Sequence, residues 1–184
     1  MKKWLLLVVA GAVLLVGWRP APREPDRLAL VRVLGVDGSG PLTLTAVCGG
    51  EDAQRGQCGG EDWNEALDGL PWSGQEELSL TSVSYIVVSE DVDLEQTLLT
   101  VLRNEELGAS ASIWMAGPGA AELLGGCEDP QSALDLLARQ GADAPTAAQA
   151  LAALYENSAV ELPRLDLEEK GLVWLGQMRW EGKG

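Results

Sequence analysis

Residues 77–116 read ELSLTSVSYIVVSEDVDLEQTLLTVLRNEELGASASIWMA, and this stretch decides the fold class. Its first part, residues 77–88, is rich in apolar and β-branched residues, with Leu78 and Leu80 on one face and Val83, Tyr85 and Val87 on the other. Asp93 and Gln96 have the spacing of an N-cap with a capping-box glutamine. Leu94, Leu98, Val101 and Leu102 then recur at helical spacing, which predicts a helix to about residue 106 stopped by Gly108. Residues 110–116 follow as another strand. Strand, helix and strand in this order favour a parallel pair joined by a right-handed crossover, with the helix lying on a sheet in which the first strand is central.

Working outward, residues 28–36 and 42–47 are two apolar, β-rich runs separated by Asp37-Gly38-Ser39-Gly40, the pattern of a β-hairpin. Residues 48–72 are rich in glycine and acid and read as a long exposed loop with a short helix around residues 64–67. On the other side, residues 118–124 form one or two helical turns stopped by Gly125-Gly126. A helix opens at Asp129-Pro130, buries Leu134, Leu137 and Ala138 and ends at Gly141. Another begins near Asp143 or Thr146 and carries Leu151, Leu154 and Tyr155. Residues 171–180 alternate as a strand able to close the sheet. The expected fold is therefore α+β, a mixed β-sheet with several helices packed on it, over residues 28–184.

Two segments precede that domain. Lys2 and Lys3 lead into WLLLVVAGAVLLVGW, residues 4–18, the layout of a signal peptide or a short membrane anchor. As a helix this run is about 22 Å long, short of a ~30 Å hydrocarbon core, with Trp4 and Trp18 placed for the two interfaces. Residues 1–18 thus imply export, with cleavage and retention both open. Residues 19–27, RPAPREPDR, are a proline-rich charged spacer.

Composition narrows the chemistry. The 184 residues contain no histidine, which removes Ser-His-Asp and Cys-His nucleophile pairs, imidazole bases and histidine-containing zinc sites. A non-enzymatic protein without a cofactor is expected. The net charge of -15 is unevenly spread: residues 1–32 carry +4 and the rest -19. Such a domain repels phosphate backbones, so no nucleic-acid partner is expected, and it is suited to a basic protein surface.

Cys48, Cys58 and Cys127 are an odd set for an exported chain. Cys48 and Cys58 each open a CGGED pentapeptide, which reads as a tandem duplication in an exposed loop or as a small metal- or disulfide-closed loop. Two cysteines make no structural zinc site, and no metal ligand set is assigned. Glu90, Asp91 and Asp93, and the pair Glu105 and Glu106, are acid/base or cation-ligand candidates, or solvated helix ends. Gly35 suits a close approach to a strand. Arg103 either satisfies carbonyls at a helix C-terminus, pairs with Glu90 across the domain, or contacts a partner. Trp174 and Trp180, an even number of residues apart, are expected on one face of the last strand, as core or as an aromatic contact patch.

The order of these motifs resembles the N-terminal region of the Ger(x)C family, the lipoprotein C subunits of spore germinant receptors. That family opens with an apolar signal ending in a Gly-Cys-Trp lipobox, then Arg-Glu, then a strand of the form apolar-Val-x-x-Gly-Ile-Asp. Here Gly17-Trp18, Arg23-Glu24 and LALVRVLGVD, with Gly35 and Asp37, correspond. A strand closing on glutamate, a helix ending in Arg-Asn and a strand leading to Ala-x-x-x-Leu correspond to YIVVSE with Glu90, VLRN with Arg103 and Asn104, and SIWMAGPGAAELL. SAVELPRLDLEEKGLVWLGQMRW is similar to the Ala-x-x-Leu-Pro segment and the glycine-containing strand that follow, so the resemblance covers residues 15–180. The lipobox cysteine is absent, which removes diacylglyceryl attachment at that position. Family members usually continue through two more domains beyond this one. The resemblance implies a membrane-tethered accessory domain outside the inner membrane, working in spore germination beside multi-pass A-type and B-type receptor subunits. It supplies no catalytic residues. The alternative is an independent exported domain that binds a ligand or metal through the Cys/Gly/acid-rich loop.

Overall fold

Leu28–Asp37 (β1) pairs antiparallel with Leu42–Cys48 (β2) in the expected hairpin. The computed structural model describes residues 28–38, 41–49, 54–70, 77–117 and 119–182. The expected targeting segment 1–18, the spacer 19–27 and the family positions Arg23 and Glu24 lie outside these residues.

The segment expected as a loop after β2 contains a third strand, Arg55–Gly60 (β3), paired antiparallel with β2. Only Gly56 and Gly60 of β3 are buried, so no apolar alternation marks it. Trp63–Asp68 (α1) follows, capped by Asp62, whose Oδ1 accepts the Glu65 amide at 2.9 Å. The single strand expected over residues 77–88 is two pieces, Glu77–Ser79 (β4) and Tyr85–Ser89 (β5), both parallel to β1. The break lies beside Arg32, where β1 carries a β-bulge and its carbonyl accepts the Ser84 amide at 3.0 Å. Because the turn interrupts the alternation, Val83 joins the core of Leu80, while Tyr85 and Val87 face the other way.

Leu94–Arg103 (α2) is capped by Asp93, whose Oδ1 accepts the Gln96 amide at 3.0 Å, and leads to Ser112–Ala116 (β6), which pairs parallel with β5 as expected. The helix ends before Glu106 because Asn104 Oδ1 accepts the amides of Glu106 and Leu107, a local bond that competes with another helical turn. Ala120–Gly126 (α3), Pro130–Arg139 (α4) and Ala147–Asn157 (α5) follow. Thr146 and Gln149 form a reciprocal capping box on α5. Ala159–Glu168 (β7) and Gly171–Glu181 (β8) complete the sheet as an antiparallel pair.

The order is β3-β2-β1-β5-β6-β7-β8, with β4 beside the start of β1, so β5 is central and the sheet is mixed. Helices cover both faces. Ile86, Val88, Ile113 and Met115 meet α1, α2 and α5 on one side. Val33, Val87, Trp114 and Leu165 meet α3 and α4 on the other. A parallel centre buried on both faces explains why YIVV and SIWMA are apolar at every inner position rather than alternating. Trp114 is fully buried, and Tyr85 meets its ring edge-on at 6.4 Å between centroids.

Candidate functional site

Several residues that carry the resemblance meet at the carboxyl ends of the parallel strands. Gly35 faces α3, where an added Cβ would lie 2.8 Å from Leu124 Cδ1 and 3.2 Å from Ala120 Cβ. Two residues on, Asp37 accepts the amides of Ala120 at 2.7 Å and Ala121 at 2.8 Å, one with each oxygen. The helix's own N-cap, Gly119, has no side chain to do this. At the other end of α3, the Arg55 guanidinium donates to the carbonyls of Cys127 and of Glu128, the latter at 2.8 Å. Carboxylate at the N-terminus and guanidinium at the C-terminus both complement the helix dipole. α3 runs through Gly125 and Gly126, where the sequence pattern predicts its stop. Gly126 also admits Leu167, which an added Cβ would meet at 2.3 Å.

Glu90 pairs with Arg164 of β7 at 2.9 Å. The expected pairing with Arg103 is corrected: α2 runs back from the carboxyl end of β5, so its ten residues set Arg103 about 15 Å away along the helix axis. Arg103 is exposed in the last turn of α2, next to the capping Asn104. The neighbouring acids have separate tasks, since Asp91 accepts a hydrogen bond from Ser89 Oγ and Asp93 caps α2. Glu105 and Glu106 are exposed.

Trp174 and Trp180 lie on opposite faces, against the expectation of one face. The β7–β8 register runs from Pro163 opposite Gln177 to Leu165 opposite Trp174, so β8 holds an extra residue there. Gly176 sits in this bulge at φ 109°, a conformation that favours glycine. The inserted residue reverses the alternation, so Trp174 packs beside α4 and Trp180 on the α5 side, each half-buried.

The second CGGED copy is not a loop. Cys58–Gly60 ends β3, and Glu61 and Asp62 lead into α1. Cys58 packs against Gly69 at the end of α1, whereas Cys48 and Cys127 are buried in opposite cores. Burial pushes the Cys127 thiol up from its ordinary value.

A cleft of about 350 Å³ opens where β1 ends between the N-termini of α1 and α2. Val36, Leu42 and Trp63 make its apolar wall, and Asp62, Asp93 and Thr97 its polar one. No signal in the sequence pointed to it, because its walls come from four separate elements.

Among the described residues no three His, Cys, Asp or Glu side chains are grouped to hold a metal ion, and no helix is long and apolar enough to cross a membrane. An α+β domain with helices on both faces of a mixed sheet is the class this geometry defines. No protein-family model, curated protein or solved structure matches the chain.

Proposed function

We propose that the chain is a membrane-associated, extracytoplasmic accessory or assembly subunit similar to the C subunit of a spore germinant receptor. It acts by protein contacts with multi-pass A-type and B-type subunits. One observation carries this reading: the segments that bear the resemblance close on one another in space. Gly35 and Asp37 of LGVD meet the helix of GAAELL, and Glu90 of YIVVSE meets Arg164 of ELPRL. The strands concerned, β1, β5, β6 and β7, stand side by side in the sheet. Residues that share a sequence signature and also hold one another form a domain signature, and their tasks are mechanical. That accords with a family whose work is binding.

In this reading residues 1–18 tether the domain to the bilayer and raise its effective concentration for a membrane neighbour, so that modest contacts suffice. Deleting residues 2–18 is expected to abolish co-purification with multi-pass subunits at matched abundance. Undiminished assembly without the tether contradicts the reading.

A further inference from the structure

We infer that the free edge of β8 pairs with the same edge of a second copy of the chain, in an antiparallel register centred on Trp180. The tethered-assembly reading is not needed for this inference. β8 ends the sheet order, and among the described residues no strand lies beyond it. Its first half is closed off, since α4 packs beside it and the Glu128 amide donates to the Lys170 carbonyl at 3.0 Å. The second half is open. The Gly182 amide donates to the Ser158 carbonyl at 2.9 Å, and these two residues lie opposite each other in the register that pairs Ala159 with Glu181. Antiparallel pairs alternate between bonded and non-bonded, so Trp180 and Met178 turn their main chain towards β7. Gln177, Arg179 and Glu181 turn theirs outward, and their amides and carbonyls have no hydrogen-bond partner among the described residues. All three residues are exposed. Such a row is a template for another strand.

The charges select the occupant. Arg179 and Glu181 share a face of β8, with Arg179 Nε 3.5 Å from Glu181 Oε1, and they flank Trp180. A positive and a negative charge two residues apart are self-complementary in an antiparallel pair, which is the condition for a two-fold interface. Centred on Trp180, the register sets Arg179 of each copy opposite Glu181 of the other. Both residues face outward, so each such pair exchanges two main-chain hydrogen bonds. The two Trp180 residues meet in the non-bonded pair between them, about 4.5 Å apart at Cα, close enough for ring contact. Other registers lose this match. Centring on Arg179 or on Glu181 opposes like charges, and centring on Met178 leaves Arg179 opposite Gln177. A wholly basic or wholly acidic partner strand satisfies only one of the two charges.

The test is sedimentation equilibrium of the full chain in density-matched detergent micelles at about 0.15 M salt, where repulsion between the acidic domains is screened beyond about 8 Å. A reversible dimer is expected. Arg179→Glu and Glu181→Arg each set like charges opposite one another in both pairs and are expected to weaken the dimer about tenfold or more. The two substitutions together restore opposite charges and should recover most of the loss. Arg179 also lies opposite Glu161 of β7. The double variant keeps that change, so its recovery reports on the contact between copies rather than on the fold. Glu181→Pro removes an outward amide without touching the ladder to β7 and should abolish the dimer. A chain that stays monomeric at about 0.1 mM leaves the edge to a strand of another protein and overturns the inference. So does a dimer unchanged by both single reversals, or a double variant as weak as the singles.

Discussion

Asp37 accepts the amide hydrogen of Ala120 at 2.7 Å, so a carboxylate at the end of the first strand caps a helix 83 residues further along the chain. A second bond to Ala121 makes the contact bidentate. Asp37→Ala is expected to lower stability by about 1.5–3 kcal/mol, the range for hydrogen bonds to a charged group. Asp37→Asn should cost less, because one amide oxygen still accepts. Urea unfolding of both variants measures this, and an unchanged midpoint in Asp37→Ala would remove the cap from the account.

Gly35 lies on the same strand under the same helix. Gly35→Ala drives a methyl into Leu124 Cδ1 and should cost about 1–3 kcal/mol by overpacking. Leu124→Val in the same chain makes room and should recover part of that loss, a coupling that a double-mutant cycle reads directly. Strictly additive effects would mean that the close approach is not the reason for glycine there.

The ion pair of Glu90 with Arg164 is half exposed, so its coupling energy should be small, about 0.2–1 kcal/mol. The corresponding cycle for Glu90 and Arg103 should give no coupling. A larger value for the second pair than for the first would reverse the assignment.

Alkali should destabilise the domain through Tyr85. Its phenol is pushed up to about 12, first by burial and then by its hydrogen bond to Asp135. The folded state therefore holds a proton that the unfolded state releases near pH 10. Stability from this group is intact below pH 10 and is lost as pH rises towards about 12. Tyr155, the other tyrosine, is also raised, by its hydrogen bond to Glu95. Phenolate absorbance of the native protein should lag that of the urea-unfolded chain, and Tyr85→Phe should shrink the lag. Superimposed titration curves would contradict this.

What the sequence made legible was the locally encoded part. Asp93 with the Leu94–Leu98–Val101 repeat, Pro130 after Asp129, and the apolar runs of β1, β5 and β6 carry their structure within a few residues. β3 was hidden because an edge strand of RGQCGG buries only glycines. β7 was hidden because Pro163 demotes a strand assignment; it falls next to the β8 bulge, before the short ladder to β6 begins at Arg164. The opposite facing of Trp174 and Trp180 follows from one inserted residue at Gly176, which no period-two count can foresee. The candidate cleft was invisible for a broader reason. Asp93 was legible as a helix start and a short helix was expected around residues 64–67, but their meeting depends on how α1 and α2 pack on the sheet.

The most direct test of the central claim is affinity capture of the natively expressed chain from membranes of a spore-forming host, with its intact mass determined. Full-length protein in the membrane fraction, copurifying with multi-pass A-type and B-type subunits, is the expected result. A trimmed, soluble protein captured without those subunits would contradict the account.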